Sequence, residues 1–262
     1  MAKLKHIRIY PVKSLDPVCC QQSVVLANGA LQHDRRFALI DTAQQLVNGK
    51  RNERVHSIHL KVNLETWQMQ MGQRGGPQSR FDITQNRNQI ETWLSDYFEQ
   101  PIRLVEDTAG GFPDDTAAPG PTLISTATLE AVTEWYPELS VEELRLRVRA
   151  NLEIDGVPAF WEDRLCGLDG QAVPFRIGAV IFRGINSCQR CVVLMRNSQT
   201  GVLQTDFKAI FSERREQCLP DWAERSRFNH FFRLAVNTSR YDVPDPPETE
   251  HVIRVGDEVS IF

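Results

Sequence analysis

The sequence predicts a mixed, β-rich fold, a closed or nearly closed β-structure with a few helices on its rim. Two observations carry this. Short apolar runs alternate with polar residues at period two, most cleanly in Ile58-His59-Leu60-Lys61-Val62-Asn63-Leu64. Breakers such as Pro11, Asn28-Gly29 and Asp41 stop these runs at the close spacing typical of closed β-structures.

In chain order, strands are expected at Ile7–Tyr10, Ser23–Ala27, Phe37–Ile40 and Ile58–Leu64. Ile90, Trp93, Leu94 and Phe98 recur at helical spacing and predict a helix over Asn88–Phe98. Asp107–Pro121 is polar and rich in Gly and Pro, so a loop and domain boundary are placed there, dividing the chain into 1–115 and 116–262. Ser125 or Thr126 can cap a helix carrying Leu129, Val132 and Trp135. Ser140-Val141-Glu142-Glu143 reads as a capping box for the next. Strands return at Leu152–Ile154, Val180–Phe182 and Cys191–Met195. A helix over Lys208–Gln217 follows, then two closing strands, Phe231–Val236 and Val252–Val255 continuing to Val259–Ile261. Tyr241–Glu250, rich in Pro and Asp, reads as a surface loop. There is no internal repeat.

The chain has 262 residues, 41% apolar and 24% charged, enough to bury a substantial core. A net charge of −4 and a pI near 5.9 argue against a general nucleic-acid binder. No apolar run approaches the roughly 20 residues of a spanning helix, and the N-terminus lacks the apolar core of a signal peptide. Six cysteines in a chain of this length fit reduced thiols and a cytoplasmic setting better than a disulfide framework. Cys19 and Cys20 are vicinal and form no ordinary bridge with each other. Cys166 and Cys218 read as structural thiols. The six histidines (His6, His33, His56, His59, His230 and His251) read as structural or exposed.

Asn186-Ser187-Cys188-Gln189-Arg190-Cys191 follows an apolar strand and places thiols beside a guanidinium. The residues alone leave three readings of this Cys-x-x-Cys: half of a zinc site, a dithiol redox pair, or one thiolate bound to another soft metal with Arg190 favouring the charged form. Basic residues cluster at strand ends and turns: Lys13-Ser14, Arg35-Arg36 and Lys50-Arg51. Arg145, Arg147 and Arg149 alternate, sharing a face with Asn151 if that segment is extended. In a mildly acidic protein this distribution suggests an anionic ligand of phosphate type.

Five segments resemble, in order, the motifs of MOSC-domain proteins that carry the MOSC N-terminal β-barrel domain: Ile9–Ser14, Asp34–Asp41, Pro121–Leu129, Arg147–Leu152 and Cys188–Cys191. The group includes the amidoxime-reducing component and the C-terminal domain of molybdenum cofactor sulfurase. The resemblance implies a MOSC β-barrel with peripheral helices, an N-terminal β-barrel-like domain, and a molybdenum–molybdopterin cofactor (Moco) whose metal takes Cys191 as ligand. Lys13, Ser14, Arg35, Ser125, Arg149, Asn151 and Arg190 would hold its phosphate and pterin, with Lys50 where relatives carry arginine. The implied activity is two-electron reduction of N-hydroxylated or N-oxygenated small molecules. The chain ends in an apparent last barrel strand, so a separate ferredoxin-like or cytochrome-like donor is expected, with no nucleic acid or membrane partner. The alternative is a non-catalytic cofactor carrier or sulfur-handling protein. Pyridoxal phosphate binding, suggested for the family by fold analogy, finds no recognisable Schiff-base lysine here. Ala150 stands where relatives usually have proline, and Val192–Gly201 replaces a Thr-rich turn.

Overall fold

The computed structural model describes residues 1–169, 171–241 and 251–262. Apart from Tyr241, the loop expected at 241–250 lies outside them. The described chain is β-rich. Its first part contains strands β1 (Ala2–Ile9), β2 (Val18–Cys20), β3 (Gln22–Val24), β4 (Phe37–Ile40), β5 (Ile58–Val62), β6 (Gln68–Gln73) and β7 (Gln78–Asp82), helix α1 (Arg87–Phe98) and β8 (Arg103–Glu106). Next come β9 (Leu123–Ser125), α2 (Thr126–Thr133), α3 (Val141–Val148), β10 (Leu152–Asp155), β11 (Val173–Ile177) and β12 (Val180–Gln189). Helix α4 (Phe207–Gln217) precedes β13 (Arg233–Arg240), β14 (Val252–Arg254) and β15 (Glu258–Ile261).

Seven strands close a barrel in the order β10-β9-β13-β12-β11-β15-β1 and back to β10. Only β9 and β10 run parallel within it, joined through α2 and α3. β2 extends the sheet at Ile7–Ile9, beyond the point where β15 pairs with Ala2 and Lys3. The barrel is filled by alternate side chains, among them Leu4, Ile7, Leu152, Ile154, Phe175, Ile177, Phe182 and Val236, all buried. Phe175 and Phe182 face each other across β11 and β12 with ring centroids 5.6 Å apart. Truncating either to alanine is expected to cost about 3–5 kcal/mol.

A second core lies under the β4–β8 ladder, the β5-β6-β7 sheet and α1, where Phe37, Leu39, Leu60, Met71, Ile90 and Leu94 pack together. A third joins α2, α3 and α4 to the barrel through Leu129, Val132, Leu144, Phe207, Phe211 and Leu234. The predicted caps form. Ser125 accepts from the Thr128 amide at 3.1 Å, and Ser140 from the Glu143 amide at 3.1 Å. Only half of the capping box is realised, because the Glu143 carboxylate turns instead to Arg147 and Ser198.

Two expectations fail. Cys191–Met195 is not a strand. β12 ends at Gln189, and Val192–Met195 is a 3₁₀ turn in which only Leu194 is buried. A short apolar run does not reveal by itself which conformation buries it. The alternating arginines are not extended either. Arg145 and Arg147 lie on α3, and Arg149 is its left-handed cap (φ 56°). They therefore diverge: Arg145 pairs with Glu153, Arg147 with Glu143. Arg149 alone is carried towards the loop after β1.

Candidate functional site

A cavity of about 1400 Å³ opens where the loop after β1, the Asp34–Arg35 turn, the Asn48–Lys50 turn, the start of β5, the 110–122 segment, the end of α3 and the end of β12 meet. It exceeds the roughly 300–1000 Å³ of common small-molecule pockets. Lys13, Ser14, Arg35, Lys50, Arg149, Arg190 and Cys191 all line it, so seven of the nine residues expected from the sequence share one cavity.

The cationic end is organised by Tyr10. Its fully buried ring carries the Arg149 guanidinium 4.2 Å from its centroid and that of Arg35 at 5.5 Å. Arg149 donates to the Leu15 carbonyl at 2.9 Å and has no carboxylate partner among the described residues. Burial, reinforced by the Arg35 charge, pushes its pKa below the usual arginine range, although Tyr10 and two aspartates oppose this; arginine remains a cation regardless. Arg35 is paired with Asp34 and donates to Asn151 Oδ1 at 3.3 Å. Lys13, 6% exposed, donates to the Phe112 carbonyl at 2.7 Å and pairs with Asp114 at 2.9 Å. Burial lowers its pKa, while Asp114 raises it. Lys50 is exposed at the rim.

Three of these residues have left-handed backbones without being glycine: Ser14 (φ 73°), Arg35 (φ 50°) and Arg149 (φ 56°). Each such residue costs about 1–2 kcal/mol. Their gathering on one wall marks it as a place where backbone strain is tolerated to aim side chains inward.

Cys188 and Cys191 are half-buried on the same wall. Arg190 lies between them in sequence, and its Nη1 donates to Cys188 Sγ at 3.2 Å while Nη2 donates to the Val148 carbonyl at 2.6 Å. The expected pairing of Arg190 with the Cys191 thiol is therefore replaced by one with Cys188, since the last β12 residues point alternately. Arg190 Nε is buried without a partner.

Ser125 does not reach the cavity. It is fully buried, committed to capping α2 and to a 2.7 Å contact with Thr128 Oγ1. Asn151 lies behind the wall, accepting from Arg35 and from the Thr122 amide and donating to the Arg8 carbonyl. It positions Arg35 and the β1–β10 seam, and does not face the cavity.

Sequence reasoning missed two features of the wall. The 107–121 segment is more than a boundary loop. It folds back over the site, where the Phe112 amide bonds Arg35 O at 2.8 Å and Asp114 reaches Lys13. Gly111 (φ 67°) makes this possible, for a Cβ there would lie 2.7 Å from Asp34 O. The Gly110-Gly111 pair in the sequence was the available signal. The second feature is His59, whose Nδ1 lies 3.0 Å from Asp16 Oδ2. Its strand alternation was visible in the sequence, but its partner, 43 residues upstream, was not.

Among the described residues no group of three or more His, Cys, Asp or Glu is arranged to hold a metal. None of the described helices is long and apolar enough to cross a membrane.

Comparison with known proteins agrees with this architecture. Residues 1–112 match the MOSC N-terminal beta barrel domain and residues 122–260 the MOSC domain. The chain is also similar to human (Homo sapiens) molybdenum cofactor sulfurase, 22% identical over 262 residues. That match takes in 80% of this chain and 28% of the relative, so the chain spans little more than a quarter of the curated relative's length. The chain belongs to the MOSC domain family, with the MOSC N-terminal beta barrel domain preceding its MOSC domain.

Proposed function

We propose that the cavity binds molybdenum–molybdopterin and that the chain is a reductase of N-hydroxylated or N-oxygenated small molecules, fed by a separate electron-donor protein of ferredoxin-like or cytochrome-like kind. The observation that carries this reading is that a half-buried thiol, Cys191, lines the same cavity as Lys13, Arg35 and Arg149. A lone protein thiolate does not hold a metal tightly, and the described residues offer no cluster of three ligands. A metal here would arrive with a chelate of its own, as a dithiolene provides. Cys191 would add one soft ligand. Arg149, Arg35 and Lys13 suit the phosphate. Ser14, Lys50 and Arg190 line the same cavity. Asn151 acts by holding Arg35, and Ser125 has no part. When bound, the cofactor supplies two-electron redox chemistry; the protein holds it and shapes the remaining volume for substrate.

The test is elemental. Protein purified from a host that makes molybdopterin should carry near-stoichiometric molybdenum and pterin, and Cys191→Ala should lose the metal. Zinc without pterin would reject the assignment. With reduced viologen as donor, a benzamidoxime-type substrate should oxidise the dye. A second reading, a cofactor carrier or sulfur-handling protein, is favoured by Cys188, a second thiol on the wall with its own arginine, and by the name of the human relative. Loaded protein that fails to oxidise the dye selects it.

A further inference from the structure

We propose that His59 is a proton donor to substrate in this cavity, an inference that rests on the reductase reading above. Two histidines line the cavity. His56 is buried, with Nε2 3.4 Å from the Gly49 carbonyl. His59 is different. Its Nδ1 lies 3.0 Å from Asp16 Oδ2, and its Nε2 has no partner among the described residues. The side chain is 43% exposed, and the residue lines the cavity.

Asp16 is fixed on every side that matters. Its Oδ2 also accepts from the Leu60 amide at 3.0 Å, and its Oδ1 is paired with Arg74. Arg74 is tied in turn to the His56 carbonyl at 3.0 Å. Arg74 Nη1 also approaches His59 Nδ1 at 3.4 Å, a longer and weaker contact than the carboxylate makes. The Nδ1 proton therefore points to Asp16 and Nε2 is left without a partner on a residue that lines the cavity, the arrangement by which a carboxylate sets the tautomer of an acid–base histidine. Asp16 is also close enough to Arg149 to act on its charge, which puts the pair beside the cationic end. Gly49 links this wall to the thiol wall: a Cβ there would lie 2.7 Å from His56 Nε2 and 3.5 Å from Val193 Cγ2, two residues after Cys191.

Reducing an N-hydroxyl group breaks the N–O bond and consumes two electrons and two protons, giving an N–H and water. The electrons come from the external donor, and the cofactor, when bound, would hand them on. The imidazolium form of His59, its Nδ1–H held by Asp16, delivers the Nε2 proton to the substrate nitrogen as the bond breaks and is left as the neutral Nδ1–H tautomer. Solvent supplies the other to the departing hydroxyl and then recharges the imidazole.

The experiment compares wild type with His59→Ala and His59→Gln, using reduced viologen and benzamidoxime, with molybdenum and pterin measured in each. Turnover in both variants should fall about 100-fold, the low end of general-acid contributions, with KM and occupancy close to wild type. Added imidazole should restore turnover in His59→Ala and not in Cys191→Ala. In ¹⁵N-histidine NMR of the protein as purified, neutral His59 should carry its proton on Nδ1, and Asp16→Asn should shift it towards Nε2. Wild-type turnover in His59→Ala, lost turnover that imidazole leaves unrestored, or an Nε2–H tautomer in wild type would each overturn the assignment of His59. Loaded wild type that oxidises no dye overturns the reductase reading itself, and this role with it.

Discussion

Arg190 Nη1 lies 3.2 Å from Cys188 Sγ, so the arginine between the two thiols serves the first and leaves the second open to the cavity. This separates their roles by geometry. Cys191 lies two residues beyond β12, caps the 3₁₀ turn with extended backbone (φ −113°), and has no hydrogen bond to its sulfur among the described residues. Cys188→Ala should keep most of the molybdenum bound by wild type, whereas Cys191→Ala should drop to background, both read by metal analysis of the purified proteins. Equal losses would show that the two sulfurs act as one site.

Arg149 sits where a helix normally ends in glycine. Replacing it with glycine removes the left-handed strain of about 1–2 kcal/mol, but also removes the stacking on Tyr10 and the bond to Leu15 O. These effects oppose each other. Arg149→Gly should therefore unfold in urea within about 1 kcal/mol of wild type, while cofactor occupancy falls at least about tenfold through loss of a charged phosphate contact. Arg149→Ala should lose the same occupancy and be the less stable of the two. A glycine variant with full occupancy would remove Arg149 from the site.

Asp114 lies against Lys13 and Arg35, in the position an incoming anion would take. The side chain is 58% exposed, so the partial desolvation that pushes its pKa upward is overcome by the Arg35 and Lys13 charges, which hold the carboxyl well below the usual range. The folded state thus binds its proton less readily than the unfolded chain. The stability it contributes is present above the unfolded pKa of about 3.9 and disappears as pH falls below it. Asp114→Asn should flatten the acid limb of urea stability between about pH 4 and 2. The same variant should bind inorganic phosphate more tightly, because the competing carboxylate is gone. Weaker phosphate binding, measured by calorimetry, would refute that competition.

Much of this was legible in the sequence, and the failures have physical causes. Helix α1 begins within one residue of its expected start because Ile90, Leu94 and Phe98 keep strict helical spacing; Trp93, expected with them, lies half-exposed and stacks on Tyr97. Lys13, Arg35 and Lys50 could be recognised because each sits at a strand end or turn, where side chains converge, whereas Arg149 reaches the cavity as the cap of α3. Ser125 caps α2 and does not line the cavity, because a hydroxyl before a helix serves equally well as cap or as ligand. β6 was overlooked although Gln68-Met69-Gln70-Met71 alternates, with both methionines buried; Met and Gln carry little strand preference. The Asp16–His59 contact depends on tertiary closure, which local pattern does not encode.

Glu162 offers a test of the scaffold that is independent of any ligand. It is 1% exposed, its Oε2 accepts from Thr128 Oγ1 at 3.1 Å, and its Oε1 has no partner among the described residues. Burial, reinforced by neighbouring Asp163, raises its pKa to about 7. Between the unfolded pKa near 4.3 and that value, the folded state holds a proton that the unfolded chain releases. Stability from this group is thus complete below about pH 4 and declines as pH rises towards 7, by on the order of 3 kcal/mol in all. Glu162→Gln fixes the neutral form. Its urea stability should match wild type near pH 5 within about 1 kcal/mol and exceed it at pH 7.5. Parallel pH–stability curves for the two proteins would show that the carboxyl stays ionised in the core and that another group neutralises it.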